Sequence, residues 1–250
     1  MGLAAPIFAR FHNGIICGYL EGSCLDINSV KEPKIVDAIC QAMARMHRIP
    51  VEKHQTSEPA IFSKTRDFLD NVPNSYQTTD LQQRFDDYFV KNKVDLEADF
   101  KHLSELLKSL HNRIVFCHND LLVFNILYNS KSEQVHFIDY EYADMNFQLF
   151  DIANHFNEYG GVDNPDYSLC PNTDETRSFI QKYLSYYLEH EPSSDEVSRM
   201  VEQIPLFEAA SHFFWSVWAL VQAKNSVIQF DYLEYGITRY QMFRKIIDQK

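Results

Sequence analysis

In the stretch FCHNDLLVFNILYNSKSEQVHFIDYEY, residues 116–142, His118, Asn119 and Asp120 lead into an apolar run, Asn125 follows Asp120 by five positions, and Asp139 and Glu141 close a second apolar run. Turns and caps use such residues too, but a fold alone requires few of them here. Oxygen-bearing side chains are what a magnesium ion takes, keeping several waters and sharing the rest of its shell with substrate phosphates. Asn125 and Asp139 can supply those oxygens. Asp120 is then left free of the metal to accept a proton from a substrate hydroxyl.

Such chemistry needs elements that bring these residues together. Ile126 to Tyr128 and Val135 to Tyr140 are β-prone runs joined by polar NSKSEQ, which predicts a hairpin that returns Asp139 to the neighbourhood of Asn125. Upstream, Leu96, Phe100, Leu103, Leu107 and Leu110 recur at helical spacing, as do Ile35, Ile39, Ala42, Met43 and Met46 behind Pro33. Residues 7–21 show two short apolar runs around His12, Asn13 and Gly14, the pattern of a strand pair. Residues 50–80 are polar and broken by prolines, so they predict a loop with one helix. Downstream, a helix is expected near 151–157, then helical patterns near 174–190, 194–202, 205–229 and 231–247. The expected fold class is α+β, a small strand-containing start followed by a mainly helical body.

Composition excludes several alternatives. Acidic side chains number 35 against 23 basic ones, a net charge of -12, and no Lys/Arg cluster forms a basic patch, so no nucleic acid partner is expected. Cys17, Cys24, Cys40, Cys117 and Cys170 are odd in number and widely spaced, which predicts neither a disulfide framework nor a zinc site and points to a cytoplasmic protein. Ile204 to Val221 is apolar but carries Glu208, Ser211 and His212; it reads as a core helix and not a membrane span. Cys117 beside His118 suggests a nucleophile pair only superficially, because strand neighbours face opposite ways. His47, His155 and His212 read as core or buttressing histidines. Trp215 and Trp218, the only tryptophans, share one helix face. Such a pair is often plain core, and it is also what would hold an ammonium group by cation–π attraction.

H-x-D followed five residues later by Asn, then a hairpin and a terminal Asp, is the order found in protein kinase-like phosphoryl transfer. HNDLLVFNILYN, VHFIDYEY and FDIANHFNEYGG together resemble the choline/ethanolamine kinase family over nearly the whole chain, and NEYGGV resembles its ethanolamine branch more than its choline branch. The resemblance implies a protein kinase-like fold, with 1–22 a remnant of the strand lobe plus hinge and 23–250 the helical catalytic lobe. It implies Mg-dependent transfer of the ATP γ-phosphate to ethanolamine, a step toward phosphatidylethanolamine. Asp120 would be the general base, and Asn125 and Asp139 the metal ligands. GYLEG, through Tyr19, Leu20 and Glu21, would meet the adenine of ATP. Glu141, Tyr142, Trp215, Trp218 and Tyr235 would line the amino-alcohol pocket, and Asp151 would brace the catalytic loop.

The seven glycines form no GxGxxG-like loop, and the lysines before residue 50 are Lys31 and Lys34, beside a helix entry. The resemblance therefore sets Met1 in the middle of the smaller lobe, the expectation being an N-terminally truncated chain. Each missing phosphate-binding group would remove about 3 to 4 kcal/mol of transition-state stabilisation. Ile7, Phe8, Phe11 and Ile15 would then lie exposed. The alternatives are a catalytically impaired module that captures ethanolamine or pairs as a homo- or hetero-dimer, a choline kinase, and an aminoglycoside-type phosphotransferase.

Overall fold

The computed structural model describes residues 3–50 and 58–249. Strands β1 (Ile7–Phe11) and β2 (Gly14–Cys17) form an antiparallel hairpin in which Phe11 pairs with Gly14. It stands apart from the core: Ile7, Phe8, Phe11, Ile15 and Ile16 are each more than half exposed. β3 (Ser23–Cys24) instead pairs with β5 (Ile126–Asn129), which pairs in turn with β6 (Gln134–Phe137). The predicted hairpin is therefore present, but its second strand stops at Phe137. Asp139 takes a left-handed backbone, φ 65°, and Tyr140–Tyr142 form a short 3-10 turn in place of the expected strand end.

Helix α1 (Pro33–His47) begins with proline at its first turn, where the missing N–H costs nothing, and buries the Ile35, Ile39, Met43 and Met46 stripe. Part of the expected loop, residues 51–57, lies outside the described residues; its helix is α2 (Ala60–Asp70). Helix α3 (Thr79–Phe85), continued by one wider turn over Asp86–Val90, was not legible in the sequence because α3 buries none of its residues and so has no apolar stripe. α4 (Leu96–Ser109) follows as expected. A second antiparallel pair, β4 (Ile114–Cys117) with β7 (Asp144–Phe147), was also missed. Its strands have four residues each and bracket the catalytic-looking stretch, so the loop from His118 is anchored at both ends.

Helix α5 (Gln148–Asn157) is buried at every position, and α6 (Thr173–Leu188) starts at an Asn172/Glu175 capping box. The patterns expected separately over 194–202 and 205–229 are one helix, α7 (Ser194–Asn225), that runs through Pro205 and ends four residues early. An interior proline costs about 3 kcal/mol. Burial of Val201, Ile204, Leu206 and Phe207 around it offsets that, at about 1.5 to 3 kcal/mol per large side chain. α7 is long and apolar enough to cross a membrane by length and composition, but 83% of its most apolar window is buried inside the fold.

α8 (Tyr232–Ile247), capped by Asp231, packs along α7. Gly236 allows the approach: a Cβ there would lie 3.3 Å from the Ala219 Cβ and from the Ser216 carbonyl oxygen. Ser216 Oγ donates to the Gly236 carbonyl at 2.7 Å. Gly236→Val should therefore push the two helices apart and lose about 1 to 3 kcal/mol in chemical denaturation.

Candidate active site

The loop after β4 is held from beneath by one buried carboxylate. Asp151 Oδ2 accepts from the His118 backbone N–H at 2.8 Å, Oδ1 accepts from that of Asn119 at 2.7 Å, and His47 Nε2 donates to Oδ2 at 3.0 Å. The Tyr183 hydroxyl donates to His47 Nδ1 at 2.7 Å and fixes that ring in turn. Burial alone would raise the Asp151 pKa, but these hydrogen bonds and the nearby His47 and His118 hold it below the ordinary aspartate value. Cys117 also approaches this group. Every carboxylate oxygen of Asp151 already receives a donor, so the cluster is a brace and not a metal site.

Asn119 sits in the left-handed region at φ 67°, a conformation asparagine tolerates better than most residues. Its amide nitrogen donates to the Tyr142 carbonyl at 2.9 Å and its oxygen accepts from Asn146 at 2.8 Å, ties that secure the turn. His118 is buried, donates from Nε2 to the Ile138 carbonyl at 2.8 Å and lies against Tyr140, so it too links the loop to the end of β6. Asn125 Nδ2 donates to the Asp120 carbonyl at 2.9 Å, and its own carbonyl accepts from the N–H of Ile138 at 3.0 Å. These bonds bring Asp120, Asn125 and the turn carrying Asp139 together.

Two openings meet at Glu141. One is a cleft of about 720 Å³ lined in part by the β1–β2 hairpin, with apolar walls that include Leu20, Ile49, Phe116 and Phe137, and with Asp139 and Glu141 also in its lining. Of the hinge residues, Leu20 lines it, whereas Tyr19 is 87% exposed and Glu21 lies 4.0 Å from Lys131. The other is a cavity of about 450 Å³ bounded by Asp120, Glu141 and Glu158 together with Tyr142, Trp215, Trp218 and Tyr235. No lysine or arginine is among its walls.

The cavity is thus acidic and aromatic. Burial pushes the Asp120 carboxyl up to about 8, the charges of Glu158, Asp139 and Glu141 add to the rise, and Arg239 opposes it. Trp215 and Trp218 meet edge to face at 5.3 Å between ring centres, and each indole N–H is committed: Trp215 to Asn154 Oδ1 at 2.7 Å, Trp218 to the Tyr142 hydroxyl at 2.9 Å. The polar edges are thereby satisfied, and both rings stand among the cavity walls.

A family model for choline/ethanolamine kinase matches residues 1–244. The chain belongs to the choline/ethanolamine kinase family. It is 42% identical over 248 residues to the ethanolamine kinase of Drosophila melanogaster, covering 97% of this chain and 48% of the fly protein. It is 35% identical over 250 residues to ethanolamine kinase 1 of Homo sapiens, covering 98% of this chain and 55% of the human one. The chain thus spans about half the length of these relatives. Among solved structures, a Plasmodium vivax ethanolamine kinase superposes with a TM-score of 0.83 at 26% identity, covering 98% of this chain and 69% of that one. A choline kinase from Cryptosporidium parvum superposes with a TM-score of 0.80 at 23% identity over 99% and 74% of the two chains, a likeness of fold. The architecture is accordingly the protein kinase-like fold expected from the motifs.

Against that family frame, the structure brings Asp120, Glu141, Tyr142, Trp215, Trp218 and Tyr235 to one cavity. Glu158, within NEYGGV, carries no local signal of a site role. Yet Glu158 lines the cavity wall, and its Oε2 is buried without a hydrogen-bond partner. Buried side-chain oxygens are ordinarily hydrogen-bonded, so this one stands out among the cavity walls. Phe230, in the segment between α7 and α8, and Tyr232, at the first position of α8, were missed as well. Phe230 fell between the expected helical patterns 205–229 and 231–247, and Tyr232 lay at the start of the second, where an aromatic reads as core.

Proposed function

We propose that the chain carries the acceptor site and catalytic loop of an ATP-dependent ethanolamine kinase, which forms phosphoethanolamine. The observation that carries this reading is the cavity in which Asp120, Glu141 and Glu158 face Tyr142, Trp215, Trp218 and Tyr235 with no cationic side chain among its walls. A small ammonium ion complements that surface. An ammonium over such rings gains about 0.5 to 2 kcal/mol by cation–π attraction. A primary ammonium can also donate hydrogen bonds to carboxylates, of which Asp120, Glu141 and Glu158 line the cavity. A trimethylated nitrogen has no such donor.

In this reading Asp120 receives the proton of the ethanolamine hydroxyl as that oxygen attacks the γ-phosphorus and the bond to the β–γ bridging oxygen breaks to release ADP, and Asn125 keeps the Asp120 loop in place through its hydrogen bond. Asn125 and Asp139 also fit a magnesium site. The amide nitrogen of Asn125 is occupied, which leaves its oxygen to bind, and no protein donor among the described residues bonds the Asp139 carboxylate. Magnesium held there would neutralise charge on the ATP phosphates. The apolar cleft beside the hairpin suits the adenine, with Leu20 in its lining, and Glu141, which lines both openings, supports a path from the phosphates to the acceptor. We read residues 1–22 as strand lobe and hinge, and 23–250 as the helical lobe. All five cysteines are free, which suits a cytoplasmic setting.

A second reading rests on the exposed apolar side chains of β1 and β2: a module that binds the amino alcohol without transferring phosphate. Calorimetry and a phosphorylation assay with Mg-ATP separate the two. The kinase reading expects ethanolamine to bind and be phosphorylated. Binding without turnover supports the module, and preference for choline or an aminoglycoside overturns the substrate.

A further inference from the structure

One cation, Arg239 on α8, lies wholly buried behind the acidic cavity and is not part of its lining. Its Nη1 donates to Glu158 Oε1 at 3.0 Å, so one oxygen of that carboxylate is tied and the other left free. Its Nη2 donates to Ser211 Oγ at 3.0 Å. Ser211 Oγ then donates to Asn154 Oδ1 at 2.8 Å, the same oxygen that accepts the Trp215 indole N–H at 2.7 Å. The guanidinium also lies over the Tyr235 ring, 5.5 Å from its centre. Three walls of the cavity, Glu158, Trp215 and Tyr235, therefore converge on a side chain that none of them exposes to the ligand.

We propose that Arg239 is the positioning residue of the acceptor cavity, holding the Glu158 carboxylate at the wall and, through Ser211 and Asn154, fixing the indole of Trp215. Electrostatics support the geometry. Burial raises the Glu158 pKa above the ordinary glutamate value, and the Arg239 charge and hydrogen bond offset part of that rise, so without Arg239 the carboxylate would be pushed further toward its neutral form. Other ionisable groups around Arg239 and Glu158 are Tyr167, Cys170, His212, Tyr235 and Asp120. None of these carries a fixed positive charge. His212 in particular is kept neutral, since burial and the Arg239 charge both lower its pKa far below the usual value.

The ligand arm of the test rests on the proposed function, and a second arm does not. With two tryptophans in the chain, the ¹H–¹⁵N spectrum shows two indole signals, assignable with Trp218→Phe. Arg239→Met should move the Trp215 signal more than the Trp218 one, Ser211→Ala should do the same with the ion pair intact, and Arg239→Lys should restore part of the shift. In calorimetry, Arg239→Met should weaken ethanolamine binding about tenfold or more, as loss of a charged hydrogen bond implies. Ser211→Ala should weaken it less, and Mg-ATP affinity should hold in both. If Arg239→Met fails to fold, the lysine and Ser211 variants decide. An unmoved Trp215 signal together with unchanged ethanolamine affinity overturns the inference. A Trp215 response in a chain whose unsubstituted form binds no ethanolamine overturns the proposed substrate and leaves the positioning role standing.

Discussion

Asp120→Ala should lower phosphoryl transfer to ethanolamine by about 10² to 10⁴-fold, the range contributed by a positioned general base, with little change in fold. The side chain lies at the cavity wall, and its backbone carbonyl, which the substitution keeps, accepts the Asn125 bond. Steady-state kinetics and a thermal melt compare the two effects; a retained rate removes Asp120 from the chemistry. The same carboxyl gives the reaction a pH signature. With its pKa raised to about 8 by burial and by the charges of Glu158, Asp139 and Glu141, Asp120 should be mostly protonated at pH 7. Arrival of an ammonium or metal cation favours the anion and should expel about one proton. Calorimetry in buffers of different ionisation enthalpy reads that proton, and Asp120→Asn should abolish it. The stability consequence has the opposite sense. The folded chain holds this proton more tightly than the unfolded one, so the contribution is full below the ordinary aspartate value of 3.8 and is lost as pH rises through about 8.

Asp151→Ala should be the most destabilising change among the polar residues near the site. It leaves the backbone N–H groups of His118 and Asn119 and the Nε2–H of His47 buried without an acceptor. Each stranded donor costs about 1 to 3 kcal/mol, and a total near 3 to 5 kcal/mol corresponds to a melting temperature lower by about 10 °C or more. Asp151→Asn keeps an acceptor for some of the donors and should recover part of the loss. Because the folded-state pKa of Asp151 is depressed, its contribution is present above the ordinary aspartate pKa and disappears as pH falls through the lower folded value. Acid unfolding of the native chain should accordingly lose its steep part in the variant. Equal stability of Asp151→Ala and the native chain would falsify the brace.

The local parts of this protein are legible in order. The helices α1, α4 and α6 follow from apolar spacing, and the β5–β6 hairpin from β-prone runs about a polar turn. Local rules failed where packing overrode them. Pro205 marked a helix end by propensity, yet buried side chains on both sides carry α7 through it. α3 and the β4–β7 pair are too short or too exposed to announce themselves by periodicity.

For the site, the sequence by itself determined the candidate stretch: the HND triplet, Asn125 five residues on, and Asp139 beyond a hairpin, because strand pairing between near neighbours is a local property. It also determined that the Trp215 and Trp218 side chains share a face, since helical period does so. Only the tertiary structure decided what those groups face. Glu158 and Arg239 stand 81 residues apart, and His47 and Asp151 stand 104 apart. No period or turn signal encodes such meetings. They arise when α1, α5, α7 and α8 close on one core, where each buried charge must find a partner or become neutral.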